Sequence, residues 1–163
     1  MLRDSFSKDG YIINKGIIKD VKNGCYFSCK NGCGWISTWN FLRYHGIDIS
    51  IEEVHDYLLN HLRFGGFLGT KPTHIKAYLE SFGFKIKRVF RKKKALELSK
   101  TINSGIIMYF HNRGAHFVAF YRENEEDFRF LNAIYGRESH ILTMEEFLRD
   151  HSYFNLMYFM GVE

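Results

Sequence analysis

The chain has 163 residues, 45% of them apolar and 17% aromatic, with 16 Phe, 10 Tyr and 2 Trp. That length fits one domain with a sizeable buried core, and the composition excludes a disordered chain. The net charge of +5 is densest in Arg88 to Lys94, RVFRKKK, which lacks the aromatic interleaving or groove-reading motif of a nucleic-acid binder. It reads as a solvated turn between a strand and a helix, so no nucleic-acid partner is expected.

The opening MLRDSFSKDGYIIN lacks the apolar run and small-residue cleavage site of a secretory signal. No segment reaches about 18 consecutive apolar residues, so no transmembrane segment is expected. Three cysteines form an odd set, read most simply as thiols in a reducing compartment, and the expectation is a cytoplasmic protein. With one proline, Pro72, and no repeat or low-complexity tract, nothing marks a linker; residues 1–163 read as a single domain.

In chain order, Gly10 to Val21, GYIINKGIIKDV, reads as one or two short β pieces. Gly34 to Tyr44 is apolar around nearly its whole circumference, which predicts a buried helix stopped by Gly46. Ser50 followed by Glu53 is a capping-box signature, and Ile51, Val54, Leu58 and Leu62 keep helical spacing, predicting a helix from about Ile51 to Leu62. RFGGFLGTKPT is a glycine-rich loop, and Thr73 can cap a third helix over His74 to Phe82, ending on Gly83.

The period then changes. Phe84 to Phe90 is strand-like, Ala95 to Ile102 a short helix, and Gly105 to His111 a continuous apolar strand. Ala115 to Tyr121 and Phe128 to Tyr135, joined by the polar RENEED, predict a hairpin of antiparallel strands. Thr143 with Glu146 forms another capping box before a helix over Met144 to Arg149, and FNLMYFMGV closes as a strand. Helices first and strands second predict an α+β domain with helices packed on an antiparallel sheet.

Cys33 stands between two glycines in KNGCGWISTWN. A catalytic thiol must ionise near neutrality although free cysteine has a pKa near 8.5, and a helix N-terminus favours the thiolate. Gly32 and Gly34 would let a substrate carbonyl approach. Cysteine is also among the commonest buried residues, so this stretch alone leaves nucleophile and core residue both open. A nucleophile needs a base and the base an orienting group. His116 begins an apolar strand, and Asn132 is the one amide in the next, so a hairpin would set them side by side.

Together NGCGWISTWNFLRYHG, AHFVAFY and FLNAIYG resemble the papain-like cysteine peptidase superfamily. Within it they are most similar to the bacterial double-glycine, bacteriocin-leader peptidases and their stand-alone relatives. The resemblance runs from about Asn23 to Tyr135 and takes in GFLGTKPTHIKAYLESFG, which is similar to the family's glycine loop and following helix. It implies the papain-like α+β fold, with a helical part over about 23–83 and a sheet part over about 84–163. It implies a cysteine peptidase acting on a peptide or related acyl substrate, without a cofactor. Cys33 would be the nucleophile, His116 the general base and later acid, and Asn132 the residue fixing the imidazole tautomer. Many relatives carry Asp there and papain carries Asn.

The implied reaction is acyl transfer: the thiolate attacks an amide carbon, His116 protonates the leaving amine, and water resolves the thioester. An acyltransferase would use another acceptor on the same scaffold. One departure bears on this. Papain-like enzymes place a Gln six residues before the nucleophile as an oxyanion donor, where this chain has Phe27. Asn31, ahead of Asn23, is the candidate replacement; an unfilled oxyanion hole would leave a slow enzyme or a peptide-binding module.

Cys25, Cys29 and Cys33 recur every four residues without a second ligand pair, so no metal site is expected. His111 ends a strand five residues from His116 and is the alternative base. Trp35 is expected in the core rather than as a shield over His116 and Asn132. Asn40 is expected to tie its helix to the glycine loop, and that loop could form a cleft lip.

Overall fold

The computed structural model describes residues 2–67, 69–112, 114–133 and 140–163. Two short strands, β1 (Lys22–Asn23) and β2 (Tyr26–Phe27), lead into helix α1 (Ser28–Asn31) and the buried α2 (Cys33–Tyr44). Helices α3 (Ile51–Leu59) and α4 (Pro72–Ser81) follow, then β3 (Lys87–Arg91) and α5 (Lys92–Ser99). The remainder is β4 (Ser104–His111), β5 (Gly114–Arg122), β6 (Asp127–Leu131), β7 (His140–Thr143), α6 (Met144–His151) and β8 (Leu156–Val162).

All adjacent pairs in the large sheet are antiparallel, in the order β3-β8-β4-β5-β6-β7. Alternation along β5 turns Phe117 and Ala119 into one core with Trp35, Ile36 and Leu42 of α2, while Val118 and Phe120 enter a second core with Phe147 of α6. The α+β expectation holds: helices α2 to α4 precede most of the sheet and α2 lies across its β5 strand. Among the described residues no helix is long and apolar enough to cross a membrane.

Local chemistry explains most boundaries. Thr143 and Glu146 form the full reciprocal capping box of α6, whereas Ser50 caps α3 only through the Glu53 N–H. Pro72, not Thr73, opens α4, because a first-turn residue needs no N–H donor. The basic run is no turn: Arg88 to Arg91 lie on the edge strand β3 and Lys92 to Lys94 start α5. Charged side chains on such an edge oppose pairing with another chain. The strand expected from Phe128 to Tyr135 is shorter here, β6 stopping at Leu131, and residues 134–139 lie outside the described residues.

The segment before β1 departs most from expectation. Instead of β pieces it holds an isolated bridge from Phe6 to Ile12 and a 3-10 turn over Lys15–Ile17. The cause is Asn40, whose Oδ1 accepts the Ile12 N–H at 2.9 Å and whose Nδ2 donates to the Ile12 carbonyl at 2.9 Å. One buried amide thus satisfies both backbone groups that a neighbouring strand would have taken. Asn40 therefore ties α2 to the N-terminal segment, not to the glycine loop.

Candidate active site

Cys33 is the first residue of α2, following Gly32, whose own N–H closes α1 onto the Ser28 carbonyl at 2.9 Å. The thiol is buried. Burial raises its pKa on balance, against the downward pull of the Lys15 ammonium and of the backbone N–H groups of Phe117, Cys33 and Gly34. Cys33 and Phe117, the residue after His116, line the same cleft and belong to the same core. The helix start and the head of β5 meet at this point.

His116 is likewise buried, at 6% exposure. Its ring packs edge-on to Tyr109, and its Nε2 lies 3.0 Å from the backbone carbonyl of Asn132. That carbonyl can only accept, so Nε2 carries the proton in this contact and Nδ1 of the neutral ring is left as the basic nitrogen. Burial drives the His116 pKa down to about 4; the Asn132 carbonyl opposes this and the Lys15 charge adds to it.

Asn132 reaches His116, although not with its carboxamide. The β5–β6 ladder ends at Ala119–Leu131, and Asn132 turns away in the left-handed region at φ 62°, a conformation that Asn tolerates better than most residues. The turn brings its carbonyl to the ring, while its Oδ1 accepts the Lys15 backbone N–H at 3.0 Å. The buried Nδ2 has no hydrogen-bond partner among the described residues. The contact with His116 expected through the Asn132 side chain is made by the main chain of the same residue.

The Asn31 amide is engaged within the fold. Its Nδ2 donates to the carbonyls of Asn23 and Gly66, each at 3.0 Å, and its Oδ1 accepts from Asn23 Nδ2 at 3.1 Å. Both amide hydrogens are used in fastening the glycine loop to the α1 segment, and Phe27 is 44% exposed. The flanking glycines are also explained by packing. A Cβ on Gly34 would lie 2.4 Å from Thr70 Oγ1, and one on Gly32 would lie 2.7 Å from Ser28 Cβ. They are close approaches inside the protein.

Cys33 opens onto a cleft lined by Lys30, Asn31, Arg63, Phe67, Gly69, Thr70, Pro72, Met108, Phe110, Gly114, Ala115 and Phe117. The glycine loop supplies one lip, with Phe64 and Phe67 at 78% and 70% exposure. His116 lines a neighbouring depression with Tyr109, His111, Asn112, Ala133, Asp150, His151 and Tyr153. His111, the alternative base, is on the rim of that depression. Trp35 is fully buried and donates Nε1 to Ser28 Oγ at 3.1 Å, a core role as expected.

Lys15 is the residue that sequence reasoning missed. It is 3% exposed, and its Nζ donates to the carbonyls of Cys29 and Lys30 at 2.7 and 3.0 Å. The available signal was a single cation inside the largely apolar IINKGII, Ile12 to Ile18, where an ammonium needs a specific partner set to be buried.

A cysteine at the head of the central helix, laid against an antiparallel sheet whose β5 strand carries a buried histidine, defines the papain-like class of cysteine peptidases. The chain belongs to the peptidase C39 family, whose sequence model matches residues 28–159. Two solved structures share the fold. One is the peptidase domain of Streptococcus ComA, a bi-functional ABC transporter involved in a quorum sensing pathway; it is 14% identical, with a TM-score of 0.55, over 82% of this chain and 93% of that one. The other is a double glycine motif protease from an AMS/PCAT transporter in complex with the leader peptide, 17% identical with a TM-score of 0.52, over 80% of this chain and 84% of that one. No curated protein matches the sequence.

Proposed function

We propose that this cysteine peptidase, read as one domain over residues 1–163, cleaves a peptide after small residues through Cys33 and His116. The observation that carries the reading is the position of Cys33, at the start of α2 and on the wall of a cleft it shares with Phe117, the residue that follows His116. His116 Nδ1 takes the thiol proton, and the Nε2–H bond to the Asn132 carbonyl holds the ring in the required tautomer. The thiolate attacks the scissile carbonyl, and the developing oxyanion meets the N–H groups of Cys33 and Gly34 at the helix start. His116 then protonates the leaving amine, and water releases the acyl group from the Cys33 thioester.

Two features favour a peptide with small residues at the cut. The cleft wall beside Cys33 is formed by the strand head Gly114–Ala115 and by Thr70 of the opposing loop, and a structural neighbour holds a leader peptide. The decisive experiment incubates the protein with peptides bearing Gly-Gly at the cut and quenches early in acid. Intact-mass spectrometry should find the N-terminal fragment as a thioester on Cys33, absent in Cys33→Ser and His116→Ala. Cleavage that persists in Cys33→Ser would refute the assignment.

A further inference from the structure

Lys15 lies upstream of residues 28–159, the family-matched region, yet it joins both sides of the site proposed above. On one side its Nζ is held by the Cys29 and Lys30 carbonyls, in the turn that leads into Cys33. On the other its backbone N–H is bonded to Asn132 Oδ1, the residue whose carbonyl takes His116 Nε2. Its 3% exposure removes it from solvent screening.

We infer that Lys15 is a positioning residue of this site: its ammonium is the fixed positive charge that favours the Cys33 thiolate, and its main chain holds Asn132 on His116. This rests on the Cys33–His116 reading and adds a residue to it. When Cys33 passes its proton to His116 Nδ1, the sulfur becomes an anion in a buried place, where a nearby cation counts for more than in water. The charge pulls the thiol down, which favours the thiolate, and it also disfavours a cation on His116, which opposes the transfer at the base. The other charged groups near Cys33, Lys30 and Arg63, line the cleft and are exposed. Asp150, His111 and His151 face His116 across the neighbouring depression.

The test is the pH profile of Cys33 alkylation by iodoacetamide in a Cys25→Ser, Cys29→Ser background, comparing Lys15 with K15M, K15Q and K15R. K15M removes the charge, K15Q keeps a donor without charge, and all three retain the backbone N–H. The expected result is a midpoint raised by at least about one pH unit in K15M and K15Q, hence about 10-fold slower labelling at neutral pH, with K15R restoring the original midpoint. Thermal melts are recorded alongside. A lower Tm with an unmoved midpoint in K15Q means a purely structural lysine and overturns the inference, and K15Q decides alone if K15M fails to fold. Unmoved midpoints beside intact peptide cleavage overturn this inference and spare the peptidase reading. Loss of Cys33-dependent cleavage in the unsubstituted protein overturns the reading itself.

Discussion

His116 Nε2 is held by the backbone carbonyl of Asn132 at 3.0 Å, and the Asn132 carboxamide points instead to the backbone of Lys15. Replacing a side-chain orienter can cost about 10⁴-fold in kcat in a hydrolytic triad. Here Asn132→Gly keeps the carbonyl and tolerates the φ of 62° at least as well. Its kcat/KM should stay within about 10-fold of the parent, the loss coming from the freed Lys15 segment. Steady-state cleavage of a Gly-Gly peptide checks this, and a loss near that of His116→Ala would return the orienting role to the side chain.

The tight approach of Thr70 to α2 makes a stability prediction. Gly34→Ala sets a methyl 2.4 Å from Thr70 Oγ1 and 2.7 Å from its Cβ. Overpacking of this kind costs about 1–3 kcal/mol. Thr70→Gly removes the opposing atoms, so the double variant should be more stable than the sum of the two single changes implies. Urea denaturation of all four proteins measures the coupling, and strict additivity would mean that the loop moves aside freely.

Asn40→Leu removes both bonds to Ile12 and leaves a buried N–H and carbonyl unpaired, at about 1–3 kcal/mol each before relaxation. The relaxation expected is undocking of the N-terminal segment. Limited proteolysis should therefore cut this variant first between α1 and the N-terminus, and Cys33 alkylation should slow as Lys15 leaves. Cleavage elsewhere first would show that the segment is held by other contacts.

Stability should fall as the solution is acidified. At pH 7 the His116 ring is neutral in both folded and unfolded chains. Below its ordinary value of 6.5 the unfolded chain binds a proton that the folded one refuses until about pH 4. Between those values the unfolded state holds the extra proton, so stability is lost as pH falls, by up to about 3 kcal/mol from this group. Burial lowers His45 and His151 in the same direction. Urea midpoints from pH 7 to 4.5 should decline, less steeply in His116→Gln, and a flat wild-type profile would contradict the buried neutral ring.

What was legible in the sequence follows the range of the forces involved. The capping pair Thr143–Glu146 and the apolar run of α2 are set by neighbours in the chain, and both elements were found nearly to the residue. The places of Cys33 at the head of α2 and His116 near the head of β5 were legible because helix-start glycines and a histidine opening an apolar strand are local signals. Lys15 was not, since its partners Cys29, Lys30 and Asn132 lie 14, 15 and 117 positions away. The short strands β1 and β2 were missed because two residues carry no period. Asn31 looked like a free donor, and only the fold showed its amide spent on Asn23 and Gly66.

The central claim is that Cys33 is an activated thiol, and competitive alkylation tests it most directly because exposure alone ranks the three cysteines in the opposite order. Cys25 is exposed, Cys29 intermediate and Cys33 buried. With limiting iodoacetamide near neutral pH, peptide mapping should find Cys33 labelled first, and His116→Ala should drop it to last. Labelling in the order Cys25, Cys29, Cys33 in the unsubstituted protein would contradict the account.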